Sequence, residues 1–201
     1  MDQFLVKKRN PILFPKSEED FHLQLSALKS ELKTLIADHP AGKDFYLDAS
    51  AGVAVDLRSW LAQWVLAGMV NSEDIEKASD DLLAFTENMG GKTAADNARA
   101  EIKDIAESSV RKMCDMTKAG GANTVWGHDY ASGLTFSLRR GARWVTSNPC
   151  KIQAFKKDFP EHYQDLVSEI KRENAGADAS VMAAQMFTKV CAISARALYP
   201  I

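Results

Sequence analysis

Two short β-prone runs end in side chains suited to chemistry. Thr124-Val125-Trp126-Gly127-His128 leads into Asp129, and Ala142-Arg143-Trp144-Val145-Thr146 leads into Ser147-Asn148-Pro149. A carboxylate is a ready general base or acid, while hydroxyl and amide groups hold polar ligands by hydrogen bonds. Asn-Pro is also a common turn starter, so the tetrapeptide has a purely conformational reading beside the chemical one. Three other features compete. Gly90-Gly91-Lys92-Thr93 imitates the end of a phosphate-binding loop, but Thr86 stands where its first glycine belongs and a helix precedes it, so helix termination is the better reading. His22, His39, His128 and His162 show no metal-ligand spacing, and no metal or cofactor is expected. His128, beside Asp129, reads first as a satisfied polar residue at a strand end.

The elements that must position these groups fall into two stretches. Residues 1–122 read as a helical extension. Ser17 caps a helix through Phe21, Leu25, Leu28, Leu32 and Leu35, which ends at His39, Pro40 and Gly42. A second helix is predicted over Val53–Met69, with Leu57, Trp60, Leu61, Trp64 and Val65 as its buried stripe. A third begins at Ser72 and stops at Gly90, and a fourth runs from Thr93 to Gly120. Phe45-Tyr46-Leu47 reads as a short strand, which makes Tyr46-Leu47-Asp48-Ala49-Ser50 an echo of the Asp129 segment and Asp48 its rival.

From residue 123 onward the order is strand, helix (132–140), strand, then helices from Pro160 and from Asp178 to Leu198. A strand, a helical crossover and a second strand form a βαβ unit with two parallel strands. Parallel pairs normally belong to larger covered sheets or barrels, so the pattern reads as the opening of an α/β structure.

Trp144-Val145-Thr146-Ser147-Asn148-Pro149 resembles the second barrel strand of transaldolases, and Ile152 supplies the aliphatic residue that follows it. Asp129 matches the order and approximate spacing of that family's strand-one aspartate. The resemblance covers residues 123–201 and implies the first strands and helices of an incomplete (β/α)8 TIM barrel. It further implies Schiff-base transfer of a dihydroxyacetone unit between sugar phosphates, a reaction of the pentose phosphate pathway. Asp129 would then be the catalytic proton-transfer carboxylate, and Asn148 and Thr146 would bind the substrate. His128-Asp129-Tyr130 departs from the family's usual neighbours. Ile201 falls where a third strand would begin, so the imine-forming lysine has no counterpart and the chain is expected to be an inactive partial barrel. Lys151 reads as a loop residue and Lys189 as a solvated helix residue.

Composition restricts the alternatives. Of 201 residues, 25 are basic and 27 acidic, a net charge of −2, which lacks the basic footprint of a nucleic-acid binder. No apolar run is long enough to cross a bilayer, and Pro11–Phe14 is too short for a signal peptide. Three widely spaced cysteines, Cys114, Cys150 and Cys191, suit a reducing compartment, so a cytoplasmic location is expected. The competing function is a non-catalytic helical protein that binds a partner through apolar faces of residues 53–113. Open faces of that kind favour self-association under either reading.

Overall fold

The computed structural model describes residues 15–122, 124–129, 134–146 and 148–198. The side chains of Trp64, Leu134, Val145 and residues 193–198 are outside the description. The basic N-terminal segment, Pro11–Phe14 and Tyr130 also lie outside the described residues. The chain divides into two compact units. The first runs to Thr124 and takes in Leu138–Gly141, and the second comprises Val125–Ser137 and Ala142–Tyr199.

Among the described residues, the longer helices of the first unit are α1 (Glu18–Asp38), α2 (Lys43–Asp56), α3 (Ser72–Asn88), α4 (Lys92–Glu107) and α5 (Ser109–Ala119). Helix α1 starts at the predicted cap, where the Ser17 hydroxyl accepts from the Asp20 N–H at 3.2 Å. It buries Phe21, Leu25, Leu32 and Ile36. Helix α2 begins ahead of the sequence expectation and absorbs Phe45–Leu47, so no strand forms there and Asp48 is an exposed helical residue. The alternation that suggested a strand was too short to outweigh a helical face made by Leu47, Ser50, Ala51, Ala54 and Val55. A π-helical segment, Leu57–Leu61, continues α2 and buries Leu57, Trp60 and Leu61.

Helices α2, α3 and α4 pack mutually through small side chains. Ser50, Ala51 and Ala54 of α2, Ala78 and Ser79 of α3, and Ala94, Ala95 and Ala98 of α4 are all buried. Small residues let helix axes approach closely, and their hydroxyls then need partners. Ser79 Oγ donates to the Ala54 carbonyl at 2.9 Å, and Thr86 Oγ1 lies 2.9 Å from Ser50 Oγ and 2.8 Å from the Leu82 carbonyl. Gly90 and Gly91 separate α3 from α4, as the helix-terminating reading requires. Gly90 has φ +93°, and a Cβ on Gly91 would meet Thr86 and Leu47 at 3.0 Å or less. The predicted fourth helix is broken in two at Ser108, whose side chain accepts from the Arg111 N–H and caps α5.

The second unit carries β1 (Gly127–His128) and β2 (Trp144–Val145), joined through α6 (Leu134–Arg139), whose last two residues belong to the first unit. The strands are parallel, with Gly127 opposite Trp144 and His128 opposite Val145. Backbone bonds from Arg143 N to Trp126 O (3.0 Å) and Thr146 N to His128 O (2.9 Å) flank this pairing. Beyond them come α7 (Lys151–Asp158), α8 (Pro160–Glu173) and α9 (Ala179–Leu198). Helix α7 was not legible in the sequence. Phe155 of α7, Ile170 of α8 and Met186 and Val190 of α9 form the core, flanked by Ile152, Tyr163 and Met182.

The structure corrects the α/β reading. The described residues are predominantly helical, and the two strands are two residues each, with no further strand among them. An incomplete (β/α)8 barrel, and the TIM-barrel architecture expected of a transaldolase-type protein, are not what this chain forms. The physical reason lies in the strand faces. Gly127 has no side chain to bury, His128 is half-buried and Trp144 is 46% exposed, so the described side chains of the pair make no continuous apolar face for a barrel to build on. No helix among the described residues is long and apolar enough to cross a membrane.

Candidate active site

The parallel pairing carries both chain segments out of the strands in the same direction, which brings Asp129 and Thr146 side by side. Thr146 Oγ1 donates to Asp129 Oδ1 at 2.9 Å. The other carboxylate oxygen, Oδ2, faces Lys151 Nζ at 3.5 Å, because the turn at Asn148–Pro149 starts α7 immediately beyond the strand. Lys151 N donates to the Asn148 carbonyl at 3.0 Å, which fixes that turn. The Thr146 hydroxyl is the chief cause that holds the Asp129 carboxyl below the ordinary aspartate value of 3.8; partial burial opposes it, and Lys151 and His128 add to the lowering. Asp129 is therefore an ionised, hydrogen-bond-anchored carboxylate that keeps 57% of its side chain open to solvent.

Asn148 has a described partner of its own. The half-buried Asn148 accepts the Cys150 thiol at its Oδ1, and neither of the described polar partners of Asp129 is Asn148. The described partners of the carboxylate are thus a hydroxyl and an adjacent ammonium. Lys151 is the first residue of α7 rather than a loop residue, and its role in the cluster was missed. The local sequence offers only a basic residue just past Asn-Pro, because α7, which brings it to the strand ends, is not legible there.

His128 points its ring to Ser137 of the crossover helix, with Nδ1 2.7 Å from the buried Ser137 Oγ. Alternation along the strand explains why neighbouring His128 and Asp129 have different partners. Lys189 is less solvated than the sequence suggested. It bridges α9 to α8 through Glu169 at 2.7 Å and Glu173 at 2.9 Å, and its own pKa is raised by those two carboxylates. Lys92 and Thr93 bind no loop-like cradle, since Lys92 pairs with Asp96 within α4.

A second polar cluster, in the first unit, escaped the sequence reading. Arg139 Nε donates to Asp56 Oδ1 at 2.8 Å, its Nη1 to both Glu101 oxygens at 2.9 Å, and its Nη2 to the Gly52 carbonyl at 3.2 Å. Asp56 is buried at the start of the π-helical segment. Each guanidinium nitrogen has an acceptor, so the cluster reads as a tether for Leu138–Gly141 rather than an open site. The partners lie 83 and 38 positions away in sequence, beyond the reach of any local pattern.

Comparison of the chain with protein-family models, curated proteins and solved structures gives no match. Neither a transaldolase assignment nor a place in the pentose phosphate pathway gains support from them.

Proposed function

We propose that the end of the parallel strand pair binds a hydroxylated sugar phosphate and moves a proton on it, as one half of a dihydroxyacetone-transfer site. The observation that supports this reading is the anchored carboxylate. Thr146 fixes one oxygen of Asp129, so the other can meet a substrate hydroxyl without a search over rotamers. Carbon–carbon cleavage next to a hydroxyl needs a base on that hydroxyl, and an ionised aspartate with an open face serves. Lys151 then has a role as the positive neighbour of an anionic ligand, and Asn148 offers an amide donor at the same strand end. None of Asp129, Thr146 and Asn148 can form an imine, so the reading covers proton transfer and hydroxyl binding and leaves the electron sink to another group. The free thiols Cys114, Cys150 and Cys191 support a reducing, cytoplasmic setting for such chemistry.

Calorimetric titration with fructose 6-phosphate tests it. Binding to the natural chain that is lost in Asp129→Asn and weakened in Lys151→Met supports the site. Equal binding by all three chains refutes it.

A second reading, association through the helical unit, is favoured by α5. Of the apolar faces of residues 53–113, those ahead of α5 are mostly spent inside the unit, whereas α5 buries no residue and exposes Met113 and Met116. The occupant that fits is a second copy of the chain. Sedimentation at rising concentration checks this: Met113→Lys with Met116→Lys abolishes any dimer, and a dimer that survives both rules α5 out.

A further inference from the structure

We propose that Glu18, His22 and Asp74 form a site for a divalent transition cation of the zinc or nickel class. Glu18 and His22 lie one helical turn apart on α1, so they share a face. Asp74 reaches them from the first turn of α3, a separate helix of the same unit. One donor atom of each residue, two carboxylate oxygens and an imidazole nitrogen, falls within 4.8 Å of the others.

Two further observations bear on a ligand. All three side chains are open to solvent, Glu18 and His22 exposed and Asp74 half-buried. Metal–ligand bonds of about 2.0–2.2 Å place neighbouring donors roughly 3–4 Å apart, so small side-chain rotations close the set around a cation. Two carboxylates that face one another repel, and a cation between them removes that repulsion. Asp74 is also supported from behind. Its N–H donates to Asn71 Oδ1 at 2.8 Å, and Asn71 Nδ2 bonds one carboxylate oxygen, which leaves the other for a ligand.

The donor types select the ion. One imidazole and two carboxylates suit zinc, nickel, cobalt or manganese, whereas calcium needs six to eight oxygens. Three protein ligands leave positions for water. The positive N-terminal poles of α1 and α3 work against a cation, so the affinity expected is modest, in the micromolar range rather than that of a structural zinc site. Capping explains Asp74 alone. It does not account for the Glu18 and His22 donor atoms lying within 4.8 Å of that carboxylate.

The full chain, stripped with chelator, is titrated with Zn²⁺ by calorimetry and with Co²⁺ by visible absorption. One ion per chain is expected, with affinity reduced at least about tenfold in His22→Ala and in Glu18→Gln. Both sites are exposed, and circular dichroism confirms that the variants fold. Amide signals broadened by Co²⁺ at residues 18–22 and 71–75 place the ion. No saturable binding up to millimolar metal overturns the proposal, as does binding that both variants leave unchanged or broadening centred on His39, His128 or His162.

Discussion

The Thr146 hydroxyl donates a 2.9 Å hydrogen bond to Asp129 Oδ1 across the ends of two parallel strands. That bond lowers the carboxyl's pKa from the ordinary value of 3.8. The sign follows from linkage: a carboxylate favoured in the folded state stabilises it above the ordinary value, and the benefit disappears as pH falls through the lower folded value. Thr146→Val removes the donor. The Asp129 side-chain carbon resonance, followed by NMR against pH, should therefore titrate at higher pH in the variant than in the natural chain.

Gly127 sits opposite Trp144, and a Cβ there would lie 2.3 Å from the indole ring. Only a glycine lets the ring lie over the backbone at this point. Gly127→Ala should displace Trp144 and loosen the pairing, with little effect on the first unit. Tryptophan fluorescence and amide exchange at Val145 and Thr146 report the change. Exchange protection equal to that of the natural chain would show that the ring moves aside at no cost.

Arg139 holds Leu138–Gly141 to the first unit through Asp56, Glu101 and the Gly52 carbonyl. Arg139→Met leaves Asp56, 9% exposed, without its cation. Loss of one partner from a buried pair costs about 3–5 kcal/mol, an upper range here because Glu101 is 36% exposed and water relieves it. Urea unfolding measures the loss, and a change below about 0.5 kcal/mol would mark the tether as marginal.

Leu82 of α3 is fully buried in the core of the first unit. Leu82→Ala should destabilise the first unit by about 2–5 kcal/mol, the range for a cavity left in a close-packed core. A markedly smaller loss would mean that the small-residue interface collapses to fill the space.

The helices with strong end signals were legible in the sequence. Ser17 and the Gly90-Gly91 pair sit where capping and left-handed turns require them, and Pro160 opens α8 as the first helical residue. The α2 start was not legible, because Phe45-Tyr46-Leu47 has strand-like composition and its helical face is set by packing against α3 and α4. The break at Ser108 was equally hidden inside one continuous apolar period. The parallel pairing of residues 127–128 with 144–145 could be read from the β-prone runs and their crossover. The barrel could not follow from it, since strand number and face burial depend on contacts that no local pattern carries. At the candidate site, Asp129 and Thr146 were legible as a pair of strand ends. The turn that sends Asn148 to Cys150 and returns Lys151 to Asp129 was set by α7, which the sequence reading left out.

Sugar-phosphate binding at the Asp129–Thr146 strand end is the proposed function. Its most direct test is a two-dimensional amide NMR titration of the chain with fructose 6-phosphate. Saturable shifts centred on residues 127–129 and 144–151, absent in Asp129→Asn, are expected. Shifts that cluster elsewhere, or none at millimolar ligand, contradict it.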